Sequence, residues 1–200
     1  MATRKPMVGG NWKMNTDLQG ASDLTRGVAE GVSGVESVEV AVFPPFPYLL
    51  AVGSILRERQ SLIGLGAQDC YHKANGAFTG EVSLEMLGDC GVGSVLVGHS
   101  ERRHVLGEDD ALLNLKVRAA VAAGQQCVLC VGETLEQRDA GETHEVNEGQ
   151  LRAGLSGVSP DDAGRIVVAY EPVWAIGTGK TATPEDAQEA HERIRGVLAD

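Results

Sequence analysis

The sequence predicts an α/β fold built from βα units on a parallel sheet, and three features of the chain lead to it. Apolar, strand-like runs recur at Met7 to Asn11, Val38 to Phe43, Leu62 to Gln68, Ser94 to Gly98, Gln126 to Val131 and Ile166 to Glu171. Helical patterns with marked ends lie between them, and the alternation repeats at intervals of roughly 25 to 40 residues, the cadence of right-handed βα crossovers. Polar residues gather where the runs end: Asn11 and Lys13 after the first, Gln68 after the third, His99 and Glu101 after the fourth, Glu133 after the fifth and Glu171 after the sixth. In (β/α) barrels that face carries the chemistry.

Along the chain, Met1 to Pro6 is basic, but Gly9, Gly10, Asn11 and Lys13 interrupt the residues after it and leave no apolar core for a signal peptide. The longest uncharged run, Val40 to Leu56, contains Pro44, Pro45 and Pro47 and is short of a bilayer span. Cys70 to Thr79, with Asn75 and Gly76 at its tip, is long for a strand-to-helix connection. Asp109 to Ala123 reads as an amphipathic helix: a capping aspartate opens it, Leu113, Val117, Ala120 and Val121 share one face, and Gly124 stops it. A C-x-x-C spacing at Cys127 and Cys130 falls inside an apolar strand, where positions three apart face opposite sides, so packed thiols are expected rather than zinc ligands. The last helix opens with Thr183 as cap and Pro184 in the first turn, and its apolar face runs Ala187, Ala190, Ile194, Val197 and Leu198.

The sixth run is the most informative. Ile166, Val167, Val168 and Ala169 read as a strand buried on both faces, which delivers Glu171 to its C-terminal end. Pro172 fixes its own backbone angle and lacks an N–H, so the chain leaves the sheet there, while Gly177 and Gly179 permit angles that a side chain forbids. A stiff start and a flexible tip suit a loop that closes. Phosphate-loop readings fail on spacing: Trp174 stands where the motif ending Gly179-Lys180-Thr181 needs glycine, and Leu96 where a dinucleotide fingerprint from Gly91-Val92-Gly93 needs one.

Composition narrows the class. Two hundred residues with 42% hydrophobic content can bury one sizeable core, and no linker divides them, so a single domain over 1–200 is expected. A formal net charge of −11 disfavours a nucleic-acid surface, and any bound anion must be held by local groups. Together these features predict a soluble, cytoplasmic protein without nucleic-acid or membrane partners.

Six blocks of sequence, in order and at matching intervals, carry a resemblance. They are Gly10-Asn11-Trp12-Lys13-Met14-Asn15, Ala67-Gln68-Asp69, Gly76-Ala77-Phe78-Thr79-Gly80-Glu81, Gly98-His99-Ser100-Glu101-Arg102-Arg103, Cys130-Val131-Gly132-Glu133-Thr134 and the stretch from Glu171 to Lys180. The chain resembles the triosephosphate isomerase family. That resemblance implies a TIM (β/α) barrel that interconverts dihydroxyacetone phosphate and D-glyceraldehyde 3-phosphate through an enediolate, a step of glycolysis and gluconeogenesis. It also implies Glu171 as the base and His99 as a neutral imidazole that polarises the carbonyl, a role for which this family is the standing example. Lys13 would place its ammonium over the phosphate and developing oxyanion, Asn11 would support it and the substrate, and Glu101 would lie close to Lys13. Gly177 would donate its N–H to the phosphate from a closing lid, and Cys130 would support the carboxylate. Neither cofactor nor metal is implied. The Cys70 to Thr79 loop would enter a pocket on a second subunit, with Phe78 and Thr79 at the contact, giving a homodimer.

The chain departs from the family at its end. Six of the usual eight βα units are present, and a complete barrel runs to about 250 residues. An open sheet would expose edges at the first and sixth strands, so a non-monomeric species with reduced turnover is expected. The alternative reading is a catalytically impaired barrel fragment or scaffold stabilised by self-association. A smaller departure is Leu106, where the family more often has phenylalanine.

Overall fold

The structure, a computed structural model, describes residues 5–177 and 179–199; the basic start at Met1 to Arg4, Thr178 of the Glu171 to Lys180 stretch and Asp200 lie outside the described residues. The chain divides into two compact units, Met1–Leu96 with Ala123–Gln126, and Val97–Ala122 with Cys127–Asp200.

In the first unit the strands β1 (Met7–Asn11), β2 (Glu39–Phe43), β3 (Gly64–Ala67) and β4 (Ser94–Val97, its last residue in the second unit) run parallel, each beside the next. Register is set by Asn11 opposite Phe43, Ala41 opposite Gly64 and Gly66 opposite Ser94. Phe43, 2% exposed, explains why glycine recurs in its neighbours: a Cβ on Gly66 would collide with its ring, and one on Gly9 would stand 3.3 Å from it. Helices α1 (Leu18–Gly31), α2 (Leu49–Glu58) and α3 (Leu84–Asp89) form the crossovers. Asp17 caps α1 and Ser83 caps α3 through their side-chain oxygens. Four strands are shorter than their apolar runs: β4 and the sixth strand, Ile166–Tyr170, by their last residue, and β2 and β3 at their starts, β3 also at its end. Leu62 is 75% exposed and precedes β3, and β2 begins at Glu39 rather than Val38. On β1, whose partner is β2, Val8 is 60% exposed. The Cys70 to Thr79 loop is ordered by its own contacts: Tyr71 N donates to Val82 O, Ser83 Oγ donates to Asn75 Oδ1, and the Tyr71 and Phe78 rings stand 4.8 Å apart.

The second unit holds α4 (Ser100–His104), α5 (Asp110–Ala122), β5 (Gln126–Val131, its first residue in the first unit), α6 (Leu135–Asp139), α7 (Thr143–Gly154), β6 (Ile166–Tyr170) and α8 (Pro184–Ala199). Strands β5 and β6 pair in parallel from Cys127 opposite Ile166 to Val131 opposite Tyr170. Helix α5 is built as its sequence requires: Asp109 accepts from Leu112 N at 2.8 Å, and Leu113, Val117 and Ala120 are fully buried. Helix α7 lies so close to β5 that a Cβ on Gly154 would meet Leu129 at 2.9 Å. At α8, Thr183 Oγ1 accepts from Asp186 N; Ala190 and Ile194 are buried, whereas Leu198 is 49% exposed.

Strand β6 corrects one expectation. Its residues, Ile166 to Tyr170, are half-buried rather than buried on both faces, because β5 is the strand they pair with among the described residues. Among the described residues no helix is long and apolar enough to cross a membrane.

Candidate active site

Within the second unit, β6 ends at Tyr170 and hands the chain to Glu171, whose N–H still donates to Val131 O at 2.8 Å. Gly132 packs directly on this point; a Cβ there would fall inside the Glu171 carbonyl. Pro172 then turns the chain away at φ −66° and ψ 94°. The Glu171 carboxylate is 20% exposed and holds two donors: Ser100 N reaches Oε2 at 2.9 Å and His99 Nε2 stands 3.0 Å from Oε1.

His99 is placed by the turn that starts α4. Gly98 takes φ +76°, a conformation that favours glycine, and His99 follows at φ −51°, ψ 144° as the helix N-cap. Its Nδ1 accepts the Glu101 N–H at 3.3 Å, which only an unprotonated nitrogen can do, so the ring proton lies on Nε2 and faces Glu171. The Glu101 carboxylate, 47% exposed, lies 3.4 Å from the same Nδ1 and could pair with it only if the ring were charged.

These contacts tune the carboxylate. Burial pushes the Glu171 carboxyl up, but the hydrogen bonds from His99 and the Ser100 N–H outweigh it and hold the group below the ordinary carboxylate range. Cys130, at the end of β5, is 4% exposed; burial and the neighbouring Glu171 charge push its thiol up to about 12.

A second carboxylate, Glu133, secures the start of the loop after Glu171. It is fully buried and accepts from Tyr170 Oη at 2.9 Å, Trp174 Nε1 at 2.8 Å and Asn147 Nδ2 at 3.1 Å. The Arg138 guanidinium lies 4.0 Å over the Trp174 ring and pairs with Asp186 at 2.6 Å. Beyond this anchored segment Gly177 is exposed and takes φ +68°.

In the first unit, Asn11 and Lys13 meet at the end of β1. Lys13 adopts φ +53°, rare for a residue with a side chain, and is held there from two sides. Its N–H donates to Asn11 Oδ1 at 2.9 Å, and its carbonyl accepts from Gln68 Nε2 at 2.8 Å. The same Gln68 nitrogen donates to Phe43 O at 2.8 Å, so one amide at the end of β3 ties down the ends of β1 and β2.

The structure thus brings Glu171, His99 and Glu101 together in one unit, and Asn11 and Lys13 in the other. Sequence reasoning assigns no role to Ser100, Gly132, Arg103 or the buried Glu133 anchor. Ser100 and Gly132 act through backbone, which leaves no mark in residue type. Glu133 carries one signal, a carboxylate closing the apolar run Cys127 to Val131, directly after a glycine.

The family model described as triosephosphate isomerase matches residues 6–200. A triosephosphate isomerase of Roseiflexus castenholzii is 51% identical over 197 residues, covering 98% of this chain and 77% of that protein. Proteins of the same name from Chloroflexus aurantiacus, 49% identical over 197 residues, and Chlorobium phaeobacteroides, 48% identical over 201, each align with 98% of this chain and 78% of their own length.

Proposed function

The chain belongs to the triosephosphate isomerase family, and on that basis we propose that it interconverts dihydroxyacetone phosphate and D-glyceraldehyde 3-phosphate by proton transfer through an enediolate. The observation that carries this reading is the 3.0 Å approach of Glu171 Oε1 to a His99 ring whose proton lies on Nε2. A carbon acid beside a carbonyl needs a base and a polarising donor, and here the two touch.

Their contact also suggests the order of events. The one ring proton of His99 is engaged by Glu171, so a substrate carbonyl must take it over before it can be polarised. That exchange removes a donor from the carboxylate, which then rises from its depressed pKa and becomes a stronger base as water leaves. The proton abstracted from one carbon returns from the same carboxyl group to its neighbour, while His99 gives its Nε2 proton to the carbonyl oxygen and takes up the hydroxyl proton of the adjacent oxygen, and a cation stabilises the charge that develops on the enediolate oxygens. Lys13 supplies that cation; support comes from its left-handed backbone, a conformation that costs energy and is clamped by Asn11 and Gln68. Asn11 positions Lys13 and contacts substrate, Glu101 settles the His99 tautomer, and Gly177 offers its N–H to the phosphate when the loop closes.

The same proposal covers organisation. A single domain over 1–200 acts in the cytoplasm as a homodimer, joined through the Cys70 to Thr79 loop. Support for the loop's role is its own ordering, which lowers the entropy lost on docking.

The test is turnover of glyceraldehyde 3-phosphate by the purified chain beside its Glu171→Gln variant. Wild-type activity that falls by at least about 10³-fold in the variant is expected. Equal turnover in both would remove Glu171 from the role of base.

A further inference from the structure

We propose that Arg103 is a positioning residue whose guanidinium clamps the strand ends that carry His99 and Cys130, and so sets the His99–Glu171 approach. This rests on the isomerase reading above. Where β4 stops, the left-handed Gly98 turns its carbonyl out of the sheet; where β5 stops, the Cys130 carbonyl likewise needs a donor. Arg103, with a side chain 8% exposed, supplies both: Nε donates to Gly98 O at 2.9 Å and Nη2 to Cys130 O at 3.1 Å. Its remaining nitrogen, Nη1, binds Asp110 Oδ1 at 2.6 Å in the first turn of α5.

The geometry makes this clamp rigid. A guanidinium is planar and presents its donors in a fixed fork, so three simultaneous bonds fix its plane as well as its position. The carbonyls it joins belong to the residue before His99 and to the residue whose thiol neighbours Glu171, while Cys130 pairs across the ladder with Ala169, two positions before Glu171. Any slack in the fork therefore changes the distance from imidazole to carboxylate. Packing leaves no room for a looser arrangement: a Cβ on Gly98 would meet Arg103 Nη2 at 3.0 Å, Cys130 O at 3.2 Å and Leu113 at 3.2 Å. A lysine, with one point-like ammonium, cannot span both carbonyls and Asp110.

A purely stabilising role makes a different prediction, because the salt bridge to Asp110 would then matter as much as the carbonyl bonds. Three variants separate the two: Arg103→Met, Arg103→Lys and Asp110→Asn. Each is assayed for kcat, KM and Tm, with kinetics taken well below the lowest melting temperature. Displacing a catalytic group by about 1 Å costs on the order of 100-fold, so kcat should fall 30- to 100-fold in Arg103→Met and about tenfold in Arg103→Lys, with KM within about twofold of wild type. Asp110→Asn keeps both carbonyl bonds and should lower Tm while retaining kcat within about threefold. Should Arg103→Met fail to fold, the Arg103→Lys and Asp110→Asn pair still decides. Wild-type-like kcat in Arg103→Lys, or an equal kcat loss in Asp110→Asn, overturns the clamp. Absence of turnover in the wild-type chain is the separate outcome that sinks the isomerase reading.

Discussion

Gly132 and Glu171 touch main chain to main chain: the α-carbon of the glycine lies against the glutamate's carbonyl, leaving no space for a methyl group. The obstructing atoms are backbone, so they cannot swing aside as a side-chain tip would. Gly132→Ala should therefore shift the whole Glu171 residue and lower kcat by about 100-fold, a cost in line with sub-ångström to 1 Å misplacement of a reacting group. Steady-state kinetics with a crystal structure of the variant would check it. A kcat within threefold of wild type would show that turnover tolerates the shift of Glu171.

The depressed pKa of Glu171 gives a signed expectation. A carboxyl that is more acidic folded than unfolded contributes stability above its unfolded pKa, and loses it as pH falls through the folded value, so this contribution fades only below the ordinary carboxylate range. Ser100→Pro removes one cause and also displaces the carboxylate from it, since the ring Cδ takes the place of the N–H. Proline is tolerated in the first turn of a helix, and His99 at φ −51°, ψ 144° already has the extended backbone that a following proline demands. The change deletes the N–H held by Oε2, so the acid limb of kcat/KM should move to higher pH, and an unmoved limb would count against Ser100 as a cause.

How far the sequence can be read depends on what kind of atom does the work. Strands β1 and β5 match their apolar runs end to end, and α5 is bounded by Asp109 and Gly124 as written, because caps and periodicity are local properties. The anchors of Glu133 are not local. Its donors come from 14, 37 and 41 residues away, and no pattern within a window links them. The left-handed Lys13 is equally silent, since nothing in its residue type favours φ +53°; the strain is held by Asn11 nearby and by Gln68 at a distance of 55 residues. Half-burial of β6 escapes a sequence reading for a related reason: Val and Ile announce burial, but the neighbours that provide it lie elsewhere in the chain.

Gln68 offers a direct test of the clamp on Lys13. Gln68→Leu removes both donated bonds, to the carbonyls of Phe43 and Lys13, and should cost about 1 to 2 kcal/mol in urea unfolding. With the Lys13 backbone released, KM for glyceraldehyde 3-phosphate should rise about tenfold while kcat changes less. An unchanged KM would separate the lysine's action from its backbone.

Glu133→Gln tests the loop anchor. Replacing a buried acceptor by an amide turns one end into a donor, which then faces either Asn147 at the Oε2 position or Tyr170 and Trp174 at the Oε1 position. A loss of roughly 2 to 4 kcal/mol is expected from chemical denaturation, given the cost of leaving buried polar groups mispaired. Stability equal to wild type would mean that the three donors find other acceptors.

The burial of Cys130 has a chemical sequel. A thiol pushed up to about 12 stays almost wholly protonated at neutral pH, and alkylating agents and peroxides attack the thiolate. The sulfur beside Glu171 is thus shielded by its own protonation as well as by its neighbours, and iodoacetamide should label half-buried Cys90 in the native protein while reaching Cys130 only after unfolding. Burial first, and the Glu171 charge second, keep this cysteine in its unreactive thiol form.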